Sequence, residues 1–140
     1  MIEYVKARLS TSRGRILAGT GALLLIGAVQ AQAQMTTERF IPIGKSPGLS
    51  GTYTWIGGIA AVDQSARTVT VRGSSGEERT VRITDSTHIW VDRSAVQETN
   101  TIGSLTDLQV GRQAEVKYLD RELREIAEWI KVASGSDEVR

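Results

Sequence analysis

Thr68 to Thr84 reads TVTVRGSSGEERTVRIT, two alternating runs on either side of a Gly/Ser cluster. In Thr68–Arg72, Val69 and Val71 fall on one face and Thr68, Thr70 and Arg72 on the other, the period of two of a half-buried strand. Arg79–Thr84 repeats the alternation with Val81 and Ile83 inward. Gly73-Ser74-Ser75-Gly76 between them supplies residues that tolerate hairpin dihedrals. This hairpin points to an all-β fold.

Working outward, Tyr53–Val62 (YTWIGGIAAV) reads as a preceding strand, and Asp63–Ala66 as the turn after it. Downstream, Asp85-Ser86 turns the chain into a short strand, His88–Val91, with Ile89 and Val91 inward. These four strands with short links predict an antiparallel meander. Asp92–Gly111 is less regular. Ser94 to Gln97 resembles a capping box, and Ser104–Leu108 reads as a second helical turn ended by Gly111. Two further strands follow, Gln113–Leu119 with Ala114, Val116 and Tyr118 inward, and Leu123–Val132, joined at Asp120–Glu122. An open sheet of about 80 residues hides little of its surface. Closure would remove the edges and give Val69, Val71, Val81, Ile83, Val116 and Ile130 one interior. Residues 52–133 are therefore predicted to form a small five- or six-stranded antiparallel barrel of the OB type, plugged by Asp92–Gly111. The alternative is a small open sheet or sandwich whose edge is covered by the Phe40–Leu49 arm.

Gly58-Ile59-Ala60-Ala61-Val62-Asp63, Thr68–Val71, Val81–Thr84, and Asp107-Leu108-Gln109-Val110-Gly111-Arg112 with Glu115-Val116 carry a resemblance in order and spacing. Over Gly58–Val132 the chain resembles the exported bacterial OB-like domains of unknown function. The resemblance implies a small barrel and export, and it brings no catalytic residue or ligand. Arg93–Ser104 and the N-terminal arm depart from that pattern.

Residues 1–33 have the form of an export signal. Lys6, Arg8, Arg13 and Arg15 precede Ile16–Val29, an uncharged run of 14 residues, and then Ala31-Gln32-Ala33. A spanning helix needs roughly 20 residues, so a cleavable signal peptide with cleavage after Ala33 is favoured over a retained anchor. The basic flank keeps the N-terminus cytoplasmic in both cases. The remainder is thus expected to be periplasmic or secreted, with no stable membrane span after cleavage. The whole chain has 17 basic and 16 acidic residues, of which four basic ones and one acid, Glu3, belong to the signal. The exported part therefore carries about −2 with its charges interspersed, which argues against a nucleic-acid partner.

Residues 34–51 (QMTTERFIPIGKSPGLSG) hold both prolines and read as a flexible linker, or as an arm that docks on its own barrel or on a partner. Phe40, Ile41, Ile43 and Leu49 are the residues that would drive such docking. Residues 134–140 form a polar tail expected to be disordered.

Chemistry-bearing residues are few. With no Cys and one His, neither a thiolate site nor a cysteine nucleophile is available. Asp85, His88 and Asp92 do not converge on a single strand face, and a stable metal site needs three or four oriented ligands. Ser86 with His88 lacks the oxyanion hole that a triad requires, and Asp120 with Glu122 lies in a hairpin without a cleft. No enzyme activity, cofactor or metal is expected. Tyr53, Trp55, Trp90 and Trp129 remain as a candidate surface, because alternation turns Trp90 outward and puts Tyr53 and Trp55 on one face. Exposed rings on a barrel can stack a ligand, or they can close the barrel ends. Two functions follow: a noncatalytic module of the cell envelope that binds a protein partner, or a binder of glycans or other small ligands.

Overall fold

A computed structural model describes residues 37–135. The expected export signal lies outside the described residues. Among the described residues the elements are seven strands and two 3-10 turns. The strands are β1 (Thr54–Asp63), β2 (Thr68–Arg72), β3 (Glu78–Arg82), β4 (His88–Asp92), β5 (Thr101–Ile102), β6 (Gln113–Tyr118) and β7 (Ala127–Ala133), with the turns at Ser94–Val96 and Leu105–Asp107. The fold is all-β. No helix among these residues is long and apolar enough to cross a membrane.

All seven strands belong to one sheet, ordered β3-β2-β1-β6-β7-β4-β5. Two expectations are corrected. The sheet is mixed rather than antiparallel, because β4 runs parallel to β7, and it is not a closed barrel. The meander holds for β1, β2 and β3 and then breaks. Its break lies at Thr84–Thr87, where the Thr84 amide donates to Thr87 Oγ1 and that hydroxyl donates to the Ala127 carbonyl. The turn thus ties the chain to the start of β7 instead of folding it back on β3. Arg82 and Ile126 form a lone parallel bridge, so β3 touches the segment leading into β7 without a continuous ladder.

The inner face follows the alternation. Val69, Val71, Val81, Ile83, Val116 and Ile130 are each 3% exposed or less and share one core with Ile59, Leu108 and Val132. Side chains of this size contribute about 1.5–3 kcal/mol each on full burial, so this face supplies most of the apolar driving force.

Local differences have local causes. Ser94 does not cap its turn: its amide is taken by Asp92 Oδ1, and Gln97 adopts left-handed backbone at φ 60° instead of reaching back. Ser104 and Asp107 do form a capping box. Leu123–Ile126 leaves the last strand, because the Asp120 carboxylate accepts the Glu122 and Leu123 amides and winds that stretch into a turn. Ser134, placed in the disordered tail by composition, donates its amide to the Asp92 carbonyl and extends the β4/β7 edge.

The arm is part of the folded unit. From Glu38 to Gly51 it runs through successive turns, with Lys45 bonded to Pro42 and Leu49 and Ser50 to Ser46. It packs on the outer face of the sheet, opposite the apolar core. Register places Ile56, Glu115, Lys131 and Trp90 side by side on that face across β1, β6, β7 and β4. The side chains that hold the arm are polar. Lys131 is paired with Glu38 and donates to Ser46 Oγ at 3.0 Å, and Ser46 donates in turn to Glu38 at 2.9 Å. Glu115 accepts from the Gly44 amide, Ser50 and Thr54 at 2.6–2.8 Å. Gly44 gives that amide from a left-handed φ of 77°, a conformation that favours glycine. Asp92 accepts the Ile43 amide, and Asn100 donates to the Glu38 and Ile41 carbonyls. Arg93–Ser104 and the arm, which both depart from the resemblance, therefore meet each other.

Candidate functional site

The four aromatic residues do not share one exposed face. Trp129 is 2% exposed and Trp90 9%, both on the outer face that carries the arm. Lys131 Nζ lies 4.8 Å from the centroid of the Trp129 ring, so this tryptophan packs beside the buried ion pair. The outward direction of Trp90 is as alternation requires, but neighbouring chain covers it. These two rings are packing and present no stacking platform.

Tyr53 and Trp55 lie elsewhere, at one end of the inner face. Trp55 pairs in register with Val116, a core residue, and packs against the core edge. Its indole donates to the Val71 carbonyl at 3.1 Å. The ring rests against Gly73, where an added Cβ would come within 2.6 Å of Cζ2. Gly73 therefore has a packing role as well as a place in the β2–β3 hairpin.

Above these rings lies a recess of about 280 Å³ lined by Tyr53, Trp55, Arg79, Tyr118, Arg121 and Arg124. Each element brings its residue there for a reason visible in the sequence. Arg79 pairs with Val71 and shares its inward face, but it stands at the start of β3 where the core ends. Its guanidinium lies 3.9 Å from the Trp55 centroid, and it makes a 3.3 Å contact with Glu77. Arg121 belongs to the β6–β7 turn and places its guanidinium 4.4 Å from the Tyr53 centroid. Such cation–π contacts are worth about 0.5–1 kcal/mol when exposed and more when desolvated, which favours both guanidinium planes lying against these rings. Arg124 takes left-handed backbone at φ 53° and donates Nε to the Arg121 carbonyl at 2.9 Å. Asp120 starts this turn, and the Leu123 and then the Glu122 amides donating to its carboxylate hold it below the ordinary aspartate value of 3.8.

Sequence reasoning singled out Tyr53 and Trp55 but missed Arg79, Arg121 and Arg124. The interspersed charges gave no hint, since the three arginines converge only through the β2–β3 hairpin and the β6–β7 turn. Arg79 alone carries a signal, as a charged residue in phase with Val81 and Ile83.

The remaining candidates disperse. Phe40 is 64% exposed, while Ile41, Ile43 and Leu49 are half-buried. Asp85 pairs with Arg67 on the surface, His88 is exposed, and Asp92 is committed to the Ile43 and Ser94 amides. No three acid, His or Cys side chains gather as a metal site among the described residues. Comparison with family models, curated proteins and solved structures found no match.

Proposed function

We propose that this chain is an exported, noncatalytic binding module whose ligand is a small molecule held in the recess at Tyr53 and Trp55. The observation that carries the reading is the convergence of three aromatic and three arginine side chains on one cavity, in a domain whose other two tryptophans are covered. Concave sites at the mouths of barrel-like sheets, with a few polar groups among apolar ones, are common ligand sites. We propose a likeness of the sheet to the OB type without closure, supported by the β1–β3 meander and the β1/β6 pairing. Export rests on the signal-like residues 1–33, with the periplasm or the medium as destination.

The reading in which the arm captures an envelope protein has less support, because the arm's polar groups are engaged by its own sheet. One observation favours a protein partner at another place: Ile102 is 83% exposed on β5, a two-residue edge strand open to β-augmentation.

A thermal-shift screen of neutral oligosaccharides, nucleotides and organic acids against the purified chain and its Tyr53→Ala variant tests the proposal. A ligand should raise the melting temperature of the parent and lose that effect in the variant, whose circular dichroism spectrum stays unchanged. Absence of any stabilising compound, or equal stabilisation of both proteins, contradicts it.

A further inference from the structure

Resting on that reading of the recess, we infer that its ligand carries an oxyanion, a carboxylate or phosphate group that the arginines grip. Hydrogen-bond accounting around the cavity leads there. A guanidinium has five N–H donors. Arg79 uses Nε on Glu77 and Arg124 uses Nε on the Arg121 carbonyl. Arg121 makes no hydrogen bond to the protein with its side chain among the described residues; its guanidinium is held by the Tyr53 ring alone. The terminal nitrogens of all three arginines are therefore free to donate. Glu77 is the single carboxylate paired with any of them, so the recess is locally cationic in a domain of mixed charge.

The same geometry works against a neutral sugar. Sugars stack on open ring faces, but Arg79 covers a face of Trp55 and Arg121 covers a face of Tyr53. The rings are platforms for guanidinium groups, and the guanidinium groups present the binding surface. Stacking biases the Arg79 and Arg121 forks before the ligand arrives, which reduces the ordering cost of binding, and charge-assisted bonds from such forks are about twice as strong as neutral ones. The roughly 280 Å³ available suits one small anion or the charged end of a larger molecule.

Isothermal titration of the full chain with citrate, pyrophosphate and maltotriose provides the test. At least one of the two anions should bind saturably at one site, with affinity that falls as NaCl is raised. Arg121→Ala and Arg124→Ala should each weaken it by about tenfold, the low end of what one hydrogen bond to a charged group contributes, without changing the circular dichroism spectrum. Citrate alone would identify a carboxylate site, and pyrophosphate alone a phosphate site. Anion affinity unchanged in both variants overturns the inference. Maltotriose binding that is sensitive to Tyr53→Ala, with neither anion binding, overturns the oxyanion chemistry while leaving the recess as the site. Binding of none of the three also overturns it, and the thermal-shift screen then decides separately whether the recess reading survives.

Discussion

Lys131 on β7 and Glu38 at the start of the arm form an ion pair sealed from solvent, at 0% and 2% exposure, across 93 residues of chain. Ser46 completes the triangle by accepting from Lys131 and donating to Glu38. Desolvation of two charges offsets much of their attraction, so the pair adds little over a matched apolar contact, whereas an unpaired buried charge is costly. Lys131→Met or Glu38→Gln alone should therefore lower unfolding free energy by about 3–5 kcal/mol. Urea denaturation followed by tryptophan fluorescence measures this, and a loss below the error of extrapolation would show that the arm is not held as described.

Glu115 gives a second handle on the arm. Its carboxylate collects the Gly44 amide and the Ser50 and Thr54 hydroxyls. Truncation in Glu115→Ala leaves three donors without an acceptor, and each buried unsatisfied group costs about 1–3 kcal/mol. Gly44→Ala should also destabilise, by about 1–2 kcal/mol, since φ is 77° there. Ser50→Ala, which removes one donor to Glu115 and the acceptor of the Ser46 amide, should cost less than Glu115→Ala in the same denaturant series.

Gly73 beside Trp55 and Gly58 within β1 offer a contrast. An added Cβ at Gly73 meets the Trp55 ring, whereas at Gly58 nothing lies within 4 Å. Gly73→Ala should displace the indole from the Val71 carbonyl, shift tryptophan emission and cost about 1–3 kcal/mol from overpacking. Gly58→Ala should leave the emission spectrum unchanged. Equal behaviour of the two variants would argue against the Trp55 placement.

Asp120 predicts a pH effect. Its folded pKa is depressed, so its contribution is present above the ordinary value of 3.8 and is lost as pH falls through the lower folded value. An NMR titration should find the Asp120 carboxyl midpoint below 3.8, with the Leu123 and Glu122 amides following the same curve. A midpoint at or above that value would mean that the β6–β7 turn is not closed by this carboxylate.

The inner half of the fold was legible because alternation reports one buried face. Val69, Val71, Val81 and Ile83 fall in phase, and each strand could be read by itself. Four things were not legible. The parallel β4/β7 pairing depends on Thr87 bonding to a carbonyl 40 residues away, which no local pattern encodes. Glu115 and Lys131 occupy outward positions, where charge ordinarily signifies solvent, and only the large apolar neighbours Ile56, Trp90 and Trp129 on that face hinted at a cover. The aromatic residues were read as one set, although Trp90 and Trp129 belong to the outer face and Trp55 to the end of the inner one. The arginine cluster arises from two separate turns and has no linear signature.

Central to the account is the mouth recess as the place where a ligand is held. Chemical-shift mapping of the isotope-labelled chain with pyrophosphate or citrate tests this most directly. The predicted result is a set of shifts confined to Thr52–Trp55, Arg79, Tyr118 and Asp120–Arg124, including the Trp55 indole N–H. Shifts centred on the arm or on Trp90 and Ile102, with the mouth residues unmoved, would contradict it.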